Sequence, residues 1–220
     1  MGKQTISRAH YYGGKIRYSR SLRKANGRRA AMLLDLVCKN RSYRRFLQNH
    51  PISETSLKNL ANLARLSASA ANMQPLKYFL SCSPESNSLI FSTLKWAAYL
   101  KDWEGPQEGE RPSAYIVILN DTSISATPYI KIDAGIACQS ILLGAVEMGL
   151  GGCILASVNK EDLRRNLKIP DQYEIMLVIA LGKPRETVVI ETAGEDIKYW
   201  RDDKDIHHVP KRPLDQIIVN

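Results

Sequence analysis

The most restrictive feature of the sequence is a long apolar stretch over residues 130–148, where apolar side chains occur at nearly every angle around a helix. A helix without a polar face is typical of a buried position. Gln139, Ser140 and Glu147 interrupt the stretch, and its apolar part is too short for a membrane span. We therefore expect a helix at the centre of a soluble domain, with no membrane partner.

Shorter helices and strands are predicted to alternate around this central helix. The central strands are apolar without a polar alternation, which is typical of strands covered on both faces. This pattern predicts an α+β or α/β domain of three layers. The predicted strands are residues 78–81, 114–119, 153–156 and 173–181, and the other helices are residues 32–39, 53–66, 86–100 and 160–167.

The positive charge of the chain is confined to its N-terminal end. The formal net charge is +9, but residues 1–31 hold nine Lys or Arg residues and no acidic residue, which leaves 22 of each sign in residues 32–220. A nucleic-acid partner is therefore not indicated. We divide the chain into a basic appendage, residues 1–31, and a folded domain, residues 32–220. The appendage is consistent with a disordered tail, a transit peptide, or translation that begins at Met32.

The cysteines indicate a reducing, cytoplasmic environment. Cys38, Cys82, Cys138 and Cys153 lie far apart and form no C-x-x-C pair, and three of them fall inside apolar patterns. Cysteine in such a pattern usually behaves as a small buried hydrophobe. Neither a disulfide framework nor a metal site is predicted.

Two basic runs near opposite ends of the domain could hold an anion. Arg41, Ser42 and Arg44 combine guanidinium forks with a short hydroxyl donor, which suits a phosphate group. Lys211 and Arg212 form the second run. Either run alone is typical of a solvated surface.

A loop of small residues, 67–75, has a different character. It carries no charge and no large side chain before Met73, so a ligand could approach its backbone closely. Ser69, Asn72 and Gln74 supply hydroxyl and amide groups that could bind the polar edge of a ring. The glycine turn at residues 149–152 precedes a strand, so it does not fit the dinucleotide-binding fingerprint.

Taken in order, these residues resemble the nitroreductase family. The resemblance extends from residue 32 to the C-terminus. It rests on five motifs: Arg41-Ser42-x-Arg44-x-Phe46, Ser69-x-x-Asn72-x-Gln74-Pro75, Asp133-x-Gly135-x-Ala137-x-Gln139 followed by Gly149-Leu150-Gly151, Gly182-x-Pro184, and Lys211-Arg212-Pro213-Leu214.

The resemblance implies an α+β fold, a three-layer mixed-sheet sandwich, in an intertwined homodimer that binds FMN between its subunits. Arg41, Ser42 and Arg44 would bind the FMN phosphate and ribityl chain, and Lys211 and Arg212 would close over the phosphate. Other contacts to the flavin would come from two further groups: Ser69, Asn72 and Gln74 at the ring or ribityl chain, and Gly151 and Gly152 near the ring.

The implied activity is an oxidoreductase in which NADH or NADPH reduces FMN and leaves before a small-molecule electron acceptor binds, a ping-pong mechanism. Nitro compounds and quinones are the acceptors expected from the family. No side chain is expected to act as a catalytic nucleophile or base, because the flavin carries the redox chemistry. The rival hypotheses are a non-enzymatic flavin-binding or flavin-storage protein and a basic-tailed interaction protein. The sequence leaves open the acceptor and the choice between NADH and NADPH.

Overall fold

The computed structural model describes residues 10–12, 15–17, 27–100 and 102–219, with side chains from Leu33 onward. The described residues fall into two compact units. The central unit spans residues 40–187, and the terminal unit combines the described residues up to Lys39 with those from Val188 onward. The proposed division of the chain at residue 31 stays a prediction.

Helices and strands are mixed along the described chain. The helices are α1 (Gly27–Lys39), α2 (Glu54–Arg65), α3 (Pro84–Phe91), α4 (Ile130–Glu147) and α5 (Lys160–Leu167). The strands are β1 (His10–Tyr12), β2 (Lys15–Arg17), β3 (Leu76–Ser81), β4 (Ala114–Asp121), β5 (Gly151–Leu155), β6 (Tyr173–Gly182), β7 (Val188–Thr192), β8 (Trp200–Arg201) and β9 (His207–Lys211).

The central unit is built on a four-stranded antiparallel sheet in the order β3-β4-β6-β5. At one end of this sheet, the glycine end, Gly151 pairs with Gly182 and Ala114 pairs with Leu181. At the opposite end, Leu76 pairs with Asn120. The register therefore fixes which loops share an end of the sheet.

Strand β4 is buried along its whole length because it serves two cores. Ile116 and Ile118 pack in one core with α2 and α4. Tyr115 and Val117 pack in a second core with Ile90 of α3 and Leu163 of α5. Both faces of the sheet therefore carry helices. Alternate side chains of a strand point to opposite faces, which explains the two cores. The prediction of a strand covered on both faces is confirmed.

Helix α4 is buried on one side only, so the prediction of a fully buried central helix is wrong for its other side. Ala134, Ala137 and Ile141 lie in the core, but Ile132 is 59% exposed and Ile136 is 37% exposed. The sheet and α2 cover only one face of the helix within a single chain. No helix among the described residues is long and apolar enough to cross a bilayer.

The predicted helix over residues 86–100 is also wrong, because α3 ends at Phe91. The chain then turns towards the segment after β5. Leu94 forms an antiparallel backbone bridge with Val158, and the Lys95 amide donates to the Ser157 carbonyl oxygen at 3.0 Å. The apolar residues that suggested a longer helix, such as Leu94, are instead packed against the second core in an irregular segment.

The terminal unit contains regular structure that the sequence does not predict. Its described C-terminal part forms a sheet in the order β7-β9-β8, in which β7 runs parallel to β9. The ring of His208 stacks on Trp200, with ring centroids 4.1 Å apart, and contacts the carboxylates of Glu191 and Asp202 at 3.1 and 3.3 Å. These polar side chains hide the apolar alternation by which a strand is usually recognised.

Candidate functional site

The segment with the first basic run lies along β5 at the glycine end of the sheet. Ser42 forms a parallel bridge with Gly152, and the Tyr43 amide donates to the Gly152 carbonyl oxygen at 3.0 Å. The structure therefore brings together two of the predicted groups, the arginine segment and the glycines that begin β5.

Both glycines lie where a side chain would overlap neighbouring atoms. A Cβ atom at Gly152 would lie 2.6 Å from the Ala180 carbonyl oxygen and 2.7 Å from a Leu142 methyl group. A Cβ atom at Gly151 would overlap the Tyr43 ring and lie 2.8 Å from Pro184. A side chain at Gly151 would push the arginine segment away from the strand, whereas one at Gly152 would disturb the packing of β5 against β6 and α4.

The arginines of this segment differ in their surroundings. Arg45 is held in a two-pronged contact with Glu110, with both nitrogen–oxygen distances 2.6 Å. Arg44 is buried, and its Nη1 donates to the Ser42 carbonyl oxygen at 3.2 Å. Arg41 is half-buried and Ser42 is exposed. Arg45 therefore stabilises the loop, and the anion site of Arg41, Ser42 and Arg44 stays a prediction.

Glu186 is a neighbour that the sequence does not reveal. Its carboxylate accepts hydrogen bonds from the backbone amides of Arg44 and Arg45. No motif could have identified it, because it lies 142 residues along the chain from Arg44. Its negative charge opposes an anion at this place, while its hydrogen bonds fix the backbone of the segment.

The Cys153 thiol lies beside this segment, and burial raises its pKa, an effect that Arg44 partly offsets. A thiol with a raised pKa stays protonated near neutral pH and is a poor nucleophile. The environment of Cys153 thus gives no reason to assign it a catalytic role.

The loop of small residues lies at the opposite end of the sheet and is organised by Asp133 of α4. The Ser69 hydroxyl donates to one carboxylate oxygen of Asp133 at 2.6 Å, and the Ala70 amide donates to the other at 3.0 Å. The same hydroxyl accepts from the Gln74 amide at 3.0 Å. Ser69 therefore uses its hydroxyl to shape the loop, a role that the sequence did not assign to it.

The backbone of this loop is held in an unusual conformation. Ala71, Asn72 and Gln74 have φ values of 50°, 54° and 52°, in the left-handed region that residues other than glycine rarely occupy. The Gln74 side-chain amide donates to the Asn72 backbone oxygen at 3.2 Å and to its side-chain oxygen at 3.1 Å. Backbone strain of this kind clusters at ligand sites. Ser69 and Gln74 line a cavity of about 210 Å³ here.

Replacing Asp133 with Ala tests how this loop is held. Two hydrogen bonds to a buried carboxylate are lost, and each is worth about 1.5–3 kcal/mol. We expect the free energy of unfolding without added FMN to fall by about 2–4 kcal/mol. Urea denaturation measures this, with Asp133→Asn as the isosteric control of smaller effect. A loss below about 0.5 kcal/mol for Asp133→Ala, the size of an ordinary surface substitution, would show that the carboxylate does not organise the loop.

A single chain does not bring all the predicted residues together. The arginine segment and the loop with Ser69 lie at opposite ends of the sheet, about 20 Å apart along β4, from six residue steps of about 3.3 Å. Lys211 ends β9 of the terminal unit and Arg212 follows it, and both side chains are exposed. Their pairing with Arg41 stays a prediction.

Comparison with known proteins assigns the family. The sequence model of the nitroreductase family, described as "Nitroreductase family", matches residues 39–183. The chain belongs to the nitroreductase family. The match includes the arginine segment, the loop with Ser69 and the glycines of β5, and it ends before the C-terminal basic pair.

Similar proteins share most of their length with this nitroreductase-family chain. MhqN of Bacillus subtilis, named as an NAD(P)H nitroreductase, is 24% identical over 189 residues, which cover 68% of this chain and 87% of MhqN. A nitroreductase family protein of Streptococcus pneumoniae aligns with a TM-score of 0.61 and 16% identity over 86% of this chain and 99% of its own. An FMN-dependent nitroreductase of Clostridium difficile aligns with a TM-score of 0.57 and 21% identity over 74% of this chain and 92% of its own. The two structures show that the chain has the α+β fold of this family.

Proposed function

We propose that this chain is an FMN-dependent oxidoreductase that uses NADH or NADPH to reduce a small-molecule acceptor. The observation that carries the proposal is the position of Arg41, Ser42 and Arg44 beside two glycines that tolerate no side chain, in a chain of the nitroreductase family. Relatives named for NAD(P)H and FMN support it.

The residues at the glycine end have the chemistry that FMN requires. Two guanidinium groups and a hydroxyl suit the phosphate, because charge-assisted donors bind phosphate oxygens strongly. We assign the phosphate to Arg41 and Arg44, which lie on either side of Ser42 beside β5. Arg45 engages Glu110 and is assigned to the loop. Gly151 lets the Tyr43 ring pack against the start of β5, which holds the arginine segment beside this strand, and we place the flavin ring near Gly151 and Gly152.

We further propose a homodimer of three-layer subunits in which each flavin is bound by both copies. Within one chain the arginine segment and the loop with Asn72 and Gln74 lie at opposite ends of the sheet, about 20 Å apart along β4, so we assign the two groups of one site to different copies. A second copy could supply the missing loop. The apolar face of α4 that carries Ile132 and Ile136 is a suitable contact surface, and α4 also carries Asp133, which holds that loop.

The chemistry that bound FMN supplies is two-electron transfer between NADH or NADPH and an acceptor such as a nitro compound or a quinone, one after the other. The protein's contribution is binding and orientation. Arg41 and Arg44 hold the phosphate, and Lys211 and Arg212 place further positive charge beside it. The side-chain amides of Asn72 and Gln74 bind polar atoms of the ring. No side chain is assigned as a nucleophile or general base.

Absorbance spectroscopy of the purified full chain tests this function. We expect the protein to retain FMN, to lose the oxidised-flavin absorbance when NADH or NADPH is added without oxygen, and to recover it when a quinone or nitro compound is added. Bound flavin that neither nucleotide reduces would indicate a flavin-binding or storage protein instead. Failure to bind added FMN would exclude both flavin hypotheses.

A further inference from the structure

A second cavity of about 550 Å³ lies at the end of β3, and none of its lining residues belongs to the candidate flavin groups. The start of α3, the segment before β4 and residues near Pro51 enclose it. Ligand cavities are typically about 300–1,000 Å³. The cavity is therefore large enough for a small organic molecule.

Three residues at alternate positions along one wall carry buried polar atoms that have no hydrogen-bond partner among the described residues: Arg111 Nε, Ser113 Oγ and the Tyr115 hydroxyl. Tyr115 is 0% exposed and Ser113 is 9% exposed. Leaving such a group unsatisfied costs about 1–3 kcal/mol, so an unsatisfied cluster at a cavity indicates a missing partner.

All three groups can act as donors. The Arg111 guanidinium is always charged, and the Ser113 hydroxyl rotates to suit an acceptor. Burial raises the pKa of Tyr115, so its hydroxyl keeps its proton. Three donors from residues of one wall favour a ligand whose polar end consists only of acceptor oxygens.

The remaining walls are fixed and partly apolar. The Gln48 side-chain oxygen accepts from the amides of Gly109 and Arg111 at 2.8 and 3.1 Å, and Asn87 donates to the Ser113 carbonyl oxygen at 2.8 Å. The Arg111 guanidinium lies 4.4 Å from the centre of the Phe91 ring. Three prolines add apolar surface: Pro51, Pro84 and Pro112.

We propose that this cavity binds a small monocarboxylate with an aromatic or aliphatic body. Its oxygens would accept hydrogen bonds from Arg111, Ser113 and Tyr115, and its body would pack against Phe91. Glu108 now pairs with Arg111 at 2.8 Å, but its side chain is 70% exposed and can turn into solvent when the ligand takes its place. A single negative charge fits this exchange better than a phosphate dianion, because Arg111 is the one cation among the described residues that line the cavity.

Benzoate is a suitable probe, with binding to the full, FMN-saturated protein measured by calorimetry. We expect Ser113→Ala and Tyr115→Phe each to weaken benzoate binding about tenfold. Ser88→Ala, in the same cavity but exposed, is the matched control and should leave the affinity unchanged. Equal affinity in all three variants would overturn the proposal, and so would the absence of benzoate binding. A change in the flavin spectrum on addition of benzoate would also overturn it, because that change would place benzoate at the flavin.

The stability of the same variants gives an independent test. Because the Tyr115 hydroxyl has no partner among the described residues, Tyr115→Phe is expected to leave the protein without benzoate as stable as the original chain, or more stable. Urea denaturation without benzoate measures this. A loss of more than about 1 kcal/mol would show that the hydroxyl already has a partner and would contradict the proposed site.

Discussion

Replacing both Arg41 and Arg212 with Ala is expected to weaken FMN binding at least about 100-fold. Each substitution removes a charge-assisted hydrogen bond to the phosphate, worth about 1.5–3 kcal/mol, and each 1.4 kcal/mol corresponds to about a tenfold change in affinity. Arg45 would not compensate, because Glu110 holds its guanidinium through Nε and Nη2. The dissociation constant, from the change in flavin fluorescence during titration, measures the effect.

Arg165→Ala is the matched control for this experiment. Its side chain is 73% exposed and pairs with Asp162 of the same helix, so we expect FMN affinity to be unchanged. Arg164 is less suitable, because it donates to three backbone oxygens between the end of its helix and the start of β6. If the double variant bound FMN as tightly as the control, the two-part phosphate site would be refuted. If Arg41→Ala had the full effect alone, Arg212 would have no part in it.

Replacing Ile132 and Ile136 with Glu is expected to give a monomer that has lost FMN. In a dimer that covers the exposed face of α4, two added charges would have to be buried, at a cost of several kcal/mol each. Neither side chain belongs to the core of its own chain, so the monomer should still fold. Analytical ultracentrifugation measures the mass, and circular dichroism measures the folding.

Leu89→Glu is the control for the dimer experiment. Leu89 is 43% exposed on α3, which packs on the other face of the sheet from α4. A charge there should leave both the mass and the flavin content unchanged. The dimer proposal fails if the variant with two Glu residues remains a dimer that contains FMN, or if the original chain is itself a monomer.

Local signals in the sequence were sufficient for much of the fold. The apolar run of β4 predicts a strand covered on both faces. Serine is a common N-cap, and the Ser53 hydroxyl caps α2 by accepting from the Ser56 amide at 3.0 Å. Gly149 has a φ of 73°, as expected for a glycine that ends a helix. Each of these features depends on residues close together in the chain.

Features that depend on distant residues could not be predicted. Glu186 meets Arg44, and Asp133 meets Ser69, across 142 and 64 residues, and a carboxylate elsewhere in the chain would look the same in the sequence. The apolar pattern also overestimated the burial of α4. Apolar side chains indicate a surface that is buried in the functional protein, but they do not show whether the same chain or another molecule buries it. The short strands β8 and β9 lacked the pattern, and the apolar part of β7, residues 188–190, is too short to be distinctive.

The flavin content of mixed dimers tests most directly whether each flavin is bound by two copies. One chain carries Arg41→Ala with Ser42→Ala, and the other carries Asn72→Ala with Gln74→Ala. Neither chain alone should retain FMN. A dimer of one of each has one site with both groups intact, so it should retain half as much FMN per chain as the original protein. Mixed dimers that form but contain no FMN would contradict the shared site.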